Sequence, residues 1–311
     1  MAGLEVSIGS LRLRNPVLLA SGCVGYGEEI AQFVDLSALG GIVVKGLYMS
    51  PRIGNPPPRI WETPSGMLNS IGLQGIGIHR FVRERLPALR QGGATVIVNV
   101  CGETDEEYEQ VTRVCDEADG IHATELNISC PNIQENGRCP GMSQEHTYSL
   151  ISRVRKASSK PLIVKLSPNV TDVAAIATSA EQGGADAVSL INTVLGMSID
   201  TETGETRTAT GMGGLSGPAI RPIAVRMVYQ VSHAVRIPVI GIGGICDARD
   251  AIEFFMAGAS AVQVGTANFM NPVASMEVLA GIKSYLARKG KKLNEIIGTC
   301  QIGRVQESEP G

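Results

Sequence analysis

Two lysines, Lys45 and Lys165, and three asparagines, Asn99, Asn127 and Asn192, stand at or beside the ends of short apolar runs. Each alone has an ordinary explanation, since asparagine caps turns and lysine is usually a solvated charge. Gathered at equivalent places in different runs, they call for a polar ligand, because burying them without partners is costly. In TELNISCPN (124–132) one run stops at Cys130, which Pro131 follows at once. That thiol is open to four roles: a small buried residue, a metal ligand, a nucleophile or a base.

Glycines carry a second message. GIGGICDARDA and VGTANF follow two late apolar runs and place Gly241, Gly243, Gly244, Gly265 and Thr266 at their ends. Glycine lets the backbone approach a phosphate, and Thr266 adds a hydroxyl. Either loop alone is an ordinary turn; the pair favours phosphate. A dinucleotide fingerprint is absent, since GIGGIC has Cys246 and GMGGLS has Ser216 where the last glycine belongs.

The elements that must position these residues are eight apolar runs, at 16–20, 41–45, 95–100, 123–129, 162–166, 187–191, 237–242 and 261–265. Near-continuous apolar strands suit a parallel sheet buried on both faces. Helix-period segments lie between them, with Thr171 and Asp247 placed as N-caps of two. The junctions ALGGIVV, QGGADAVSL and MAGASAVQV each run from helix through a left-handed glycine into a strand. The pattern predicts an α/β fold: a (β/α)8 TIM barrel with a small N-terminal β-hairpin and long loops on its C-terminal face. An open doubly wound sheet is the alternative. The long connections are 46–80, with the sole Trp61, and the polar excursion 196–217. No linker suggests a second domain, so one barrel domain is expected over 1–311. In such a barrel, polar residues at strand C-termini face the active site.

Composition narrows the partners. The chain has 311 residues, 43% of them hydrophobic, and a formal net charge of −3. No basic run supplies the phosphate-neutralising term that nucleic acid requires. The first residues alternate polar and apolar like no signal peptide, and no apolar stretch approaches the roughly 20 residues that span a bilayer. The seven cysteines are irregularly spaced without C-x-x-C. No metal is expected, and reduced thiols point to the cytoplasm.

With these motifs in view, the sequence resembles the class 1 dihydroorotate dehydrogenases, FMN-dependent barrels that oxidise dihydroorotate to orotate in pyrimidine synthesis. NPVLLASG, NSIGLQ, NISCPN, KPLIVKLSPN, INT, GLSGPAIRPIA, IGIGGI and QVGTANF carry the resemblance along essentially the whole chain. Cysteine in NISCPN resembles class 1, whereas the membrane-associated class has serine there. GMSIDTETG and TGMGGLSGPAIRPIAVRMVYQV most resemble the class 1B catalytic subunit. The stretch IQENGRCPGMSQEHTYSL, with its extra thiol Cys139, departs from the family pattern.

The resemblance implies one FMN per chain and a partner subunit carrying FAD and a 2Fe–2S cluster. It also implies NAD as final acceptor and a homodimer at the core of a heterotetramer. Hydride goes from substrate C6 to flavin N5, and Cys130 takes the C5 proton as base. Lys165 stabilises charge at flavin N1/O2, and Lys45 serves flavin and substrate. Ala20, Ser21, Gly22, Lys45, Gly46, Asn99, Asn127, Lys165, Ile191 and Gly217 are expected to line the flavin. Gly243, Gly244, Gly265 and Thr266 are expected at its phosphate. Lys45, Asn69, Ser70, Ile71, Gly72, Leu73, Asn127, Asn132, Asn192 and Thr193 are expected around the substrate. Competing readings are a dihydropyrimidine dehydrogenase-like barrel acting on uracil or thymine, a flavin-free phosphate-binding lyase or isomerase, and a scaffold without catalysis. Fumarate in place of NAD stays open.

Overall fold

The computed structural model describes residues 3–129 and 140–303. All eight apolar runs become strands: β1 Val17–Leu19, β2 Gly41–Leu47, β3 Val96–Val100 and β4 Ala123–Asn127. β5 Leu162–Lys165, β6 Ala187–Leu190, β7 Val239–Ile242 and β8 Ala261–Val264 follow. They pair in that order into a closed barrel, every pairing parallel, with β8 against β1 (Val262 opposite Val17) completing the ring.

Side chains alternate across a strand, so the barrel interior is read at every second residue. Leu18, Val43, Ile97, Ala123, Ile163, Ala187, Ile240 and Ala261 form an apolar floor. The expected hairpin, Val6–Ile8 paired with Leu11–Leu13, closes that end by packing Ile8, Leu11 and Leu13 against the floor. Each of those buried side chains contributes about 2 kcal/mol. Two residues further along the strands the interior changes character: Lys45, Asn99, Glu125, Lys165, Ser189 and Gln263 make the next layer.

Nine α-helices are described: α1 Ile78–Glu84, α2 Leu86–Gln91, α3 Asp105–Glu117, α4 Gln144–Ala157 and α5 Val173–Gln182. α6 Arg221–Ser232, α7 Ala248–Met256, α8 Ala267–Met270 and α9 Ala274–Lys289 complete them. Asp247 caps α7 as expected, in a capping box with Asp250. The cap of α5 is Asp172, whose carboxylate accepts from the Ala174 and Ala175 N–H groups, and not Thr171. A carboxylate one residue nearer the helix reaches two free N–H groups and adds a favourable charge.

The eight units are not all strand–helix. The crossover from β1 to β2 holds only two 3₁₀ turns, Ile30–Gln32 and Leu36–Ala38. Gly22, Gly25 and Gly27 there all take positive φ, which no helix accommodates. Of the three junctions, Gly184 (φ +99°) and Gly258 (φ +112°) behave as read. Gly40 serves a different need: a Cβ there would lie 2.3 Å from the Asn15 carbonyl oxygen.

The two long connections are not merely loops. Ile60–Thr63, Gly66–Asn69, Met212–Ser216 and Val194–Met197 form one antiparallel four-stranded sheet. It joins the excursion after β2 to the excursion after β6, with Leu68 buried and Val194 and Leu215 packed on the core. Short strands with several glycines give little hydrophobic alternation, so this pairing had no local signal.

Candidate active site

Because the strands are parallel, their C-terminal ends share one face, and the predicted residues meet there. Asn99 of β3 and Asn127 of β4 are nearly fully buried, and Asn127 Nδ2 donates to Asn99 Oδ1 at 3.4 Å. Asn127 Oδ1 accepts from the Ser129 hydroxyl at 2.7 Å and from Asn192 Nδ2 at 3.4 Å. Asn192 Nδ2 also donates to Ser129 Oγ, while its own Oδ1 accepts the Thr193 N–H at 2.8 Å. Three strand ends are thereby tied into one polar cluster.

Between β4 and β6, directly opposite Asn127 in the strand register, Lys165, the last residue of β5, is buried and donates from Nζ to Ser21 Oγ, just past β1, at 3.1 Å. Beside it Cys23 is pushed up to about 11 by burial, which the Lys165 charge only partly offsets. Lys45 is half-buried, and its pKa is pulled below the ordinary lysine value. Burial is the main cause, the Arg59 charge adds to it, and Glu29 opposes it.

Several glycines are required by crowding. At Gly46 a Cβ would lie 2.8 Å from Cys101 Sγ and 3.0 Å from Asn99 Oδ1, with Leu73 Cδ2 at 3.9 Å. Gly244 (φ +71°) sits where a Cβ would lie 2.8 Å from the Gly217 carbonyl oxygen, and Gly217 in turn faces Thr266. Thr266 Oγ1 bonds Ser216 Oγ at 2.9 Å. Gly243 packs against Ala224 and Ile191, and Gly265 against Ala20 and Cys23. A Cβ on Gly22 would meet nothing within 4 Å. Thus Gly244, Gly217 and Thr266 lie together, and Gly243 and Gly265 stand at the ends of β7 and β8.

The small sheet brings in the remainder. Asn69 Nδ2 bonds the Gly214 carbonyl at 3.2 Å, and the Thr193 hydroxyl lies against Gly214, so Asn69 joins the Asn192 side of the cluster. The segment after it is held by Asn55, whose N–H donates to the Ile71 carbonyl and whose Nδ2 donates to that of Ser70. Gly72 (φ +72°) and Leu73 (φ +53°) turn the chain there, and Ser70 Oγ is buried without a partner. Cys130, Asn132 and Cys139 lie outside the described residues.

Sequence reasoning missed the layer beneath the cluster. Glu125 is fully buried, with Oε1 accepting from Asn99 Nδ2 at 2.8 Å. Its Oε2 accepts from Ser189 Oγ at 2.9 Å and Gln263 Nε2 at 2.6 Å. The signal was present, since a carboxylate and an amide interrupt otherwise apolar strands. Among the described residues, no helix is long and apolar enough to cross a membrane.

Comparison with known proteins agrees with this geometry. The family model described as dihydroorotate dehydrogenase matches residues 3–286. A protein of Thermodesulfovibrio yellowstonii named dihydroorotate dehydrogenase B (NAD(+)), catalytic subunit, is 55% identical, covering 96% of this chain and 99% of its own. A Bacteroides thetaiotaomicron protein of the same name is 51% identical, over 97% and 100% of the two chains. One from Thermoanaerobacter pseudethanolicus is 50% identical over 96% and 99%. With a matching family model and relatives alike from end to end, the chain belongs to the dihydroorotate dehydrogenase family, in its B-type catalytic-subunit class.

Proposed function

We propose that the protein catalyses FMN-dependent oxidation of (S)-dihydroorotate to orotate, the redox step of pyrimidine synthesis, as the catalytic subunit of an NAD(+)-linked enzyme. The observation that carries this is identity of 50–55% to catalytic subunits of that name, over nearly all of each chain.

The residues present fit a flavin mononucleotide. Gly243, Gly244, Gly265 and Thr266 are partly exposed at the ends of β7 and β8, with Gly217 packed against Gly244, a backbone-rich lining suited to a phosphate reached by backbone N–H groups. The Lys165 ammonium is buried against a neutral hydroxyl, a setting that an electron-rich ring edge would complete. Ala20, Ser21, Gly22, Lys45, Gly46, Asn99, Asn127 and Ile191 would complete the walls. Bound there, FMN supplies the acceptor for the hydride that leaves substrate C6.

The chain's own residues do the rest. Cys130, directly after Ser129, takes the proton from C5, the role that the resemblance of NISCPN to the family implies. Lys165 holds a fixed positive charge where negative charge develops. Lys45, Asn69, Asn127, Asn132, Asn192 and Thr193 orient a planar carboxylate rich in amide groups, with the backbone of 70–73 as a further wall. Electrons leave through a separate subunit carrying FAD and a 2Fe–2S cluster, with two copies of this chain at the core of a cytoplasmic heterotetramer.

The test is anaerobic: dihydroorotate should bleach the yellow purified protein and dihydrouracil should not. NAD should be reduced only when the electron-transfer subunit is co-expressed. Bleaching by dihydrouracil alone, or a colourless protein, would overturn the reading. Cys130→Ala should abolish bleaching with flavin still bound, and Cys130→Ser should keep weak, more alkaline activity.

A further inference from the structure

The buried carboxylate of Glu125 has no place in the chemistry above, and it is expensive. A fully buried carboxylate with only neutral partners is less stable than an apolar residue of the same volume in a well-packed core. Yet it receives hydrogen bonds from three other strands: Asn99 of β3, Ser189 of β6 and Gln263 of β8. We propose that Glu125 is a positioning residue: through Asn99 it fixes which amide atom Asn127 and Asn192 present to the substrate. This rests on the proposed dihydroorotate site.

The argument is one of polarity. An ionised carboxylate only accepts hydrogen bonds, whereas a side-chain amide can be turned either way, its orientation set by its partners. Glu125 therefore requires Asn99 to point its NH2 inward at 2.8 Å and its oxygen outward. That oxygen accepts from Asn127 Nδ2 at 3.4 Å, which turns the Asn127 oxygen toward Ser129 and Asn192. Asn192 continues in the same sense, donating from Nδ2 while its oxygen accepts the Thr193 N–H. Every link has one donor and one acceptor, and reversing Asn99 would set NH2 against NH2. The two amide–amide links are long, so the direction is set at the carboxylate end of the relay, where Asn99 Nδ2 meets an acceptor at 2.8 Å, and not by their own strength. One hydrogen of Asn127 Nδ2 is used in the relay, and the other is left for a ligand oxygen. At Asn127 the site is thereby committed to a donor, which suits a carboxylate or carbonyl oxygen there and not an N–H.

Glu125→Met removes the acceptor and keeps the volume. Orotate affinity, measured by calorimetry on the protein as purified with its cofactor, should fall by about tenfold or more. Glu125→Gln should restore it to within about threefold. Its oxygen can face Asn99 while its NH2 meets Ser189 Oγ and the otherwise unpartnered Gln263 Oε1. A merely structural carboxylate predicts no such rescue. If Glu125→Met fails to fold, Glu125→Met/Gln263→Met removes a stranded donor as well and carries the same expectation. Wild-type orotate affinity in the Met variant, or equal loss in Met and Gln, would overturn the proposal. The side-chain amide signals of Asn99 and Asn127, followed by NMR without ligand, should move in the Met variant and return in Gln. They decide the relay even if the wild type binds no orotate, an outcome that would instead sink the proposed function.

Discussion

Lys45 and Lys165 put the same ammonium in two settings, and the difference is measurable. Lys165 is buried beside a hydroxyl, whereas Lys45 is half-buried beside Arg59. Because burial and then Arg59 pull the Lys45 pKa below 10.5, its proton is lost at lower pH than from an ordinary lysine. Its charge is complete well below that lowered value and disappears as pH rises through it. Orotate affinity should therefore weaken on the alkaline side before pH 10.5, and Lys45→Met should be weak and flat across the same range. Titrations at a series of pH values would show this, and an unchanged profile in Lys45→Met would remove Lys45 from the site. For Lys165→Ala the expected loss in flavin reduction rate by dihydroorotate is on the order of a hundredfold. Stopped-flow bleaching measures it, and a yellow, fully active variant would refute the role. Both lysines were legible because they end apolar runs. Glu125, Ser189 and Gln263 were not read: a carboxylate and an amide interrupting apolar strands mark something, but what they mean depends on neighbours up to four strands away, which only barrel closure supplies.

Among the elements, helix caps offer the cleanest check on a corrected assignment. Asp172→Ala should cost about 1 kcal/mol in denaturant unfolding, whereas Thr171→Ala should cost almost nothing. The reverse ranking would return the cap to Thr171. His122 makes a second case at the start of β4, where its Nδ1 accepts the Val96 N–H of β3 at 3.1 Å. Burial lowers its pKa below 6.5, so the unfolded chain takes up a proton that the folded one resists. Its contribution to stability is present above the unfolded value and is lost as pH falls through the folded one. The gap in melting temperature between wild type and His122→Gln should shrink as pH drops from about 7 to 5. The eight strands were readable since β-branched apolar runs have few other uses in a chain of this length. The first crossover and the four-stranded sheet were not. Glycines in one forbid a helix without announcing what replaces it, and the other is held by pairing between distant segments.

At the scale of the whole molecule, the barrel divides into an apolar half sealed by the hairpin and a polar half that opens to the site. Stability and chemistry are thus kept at opposite ends, and substitutions at Ile8 or Leu13 should lower melting temperature without touching orotate affinity. A loss of affinity in a folded Ile8→Ala protein would show that the floor reaches the site. The small sheet has a further consequence for the order of events during synthesis. Asn69 and its partner Gly214 are separated by 145 positions, and Thr266 comes later still. A ribosome that has made every strand but β8 has produced most of the hydrophobic core, but neither a closed barrel nor the part of the site formed by Gly265 and Thr266. Nascent chains arrested before residue 260 should therefore fail to retain FMN, while chains extended past Thr266 and clear of the exit tunnel should retain it. Completion of β8, more than any earlier folding step, would then set the moment at which the proposed flavin is first taken up.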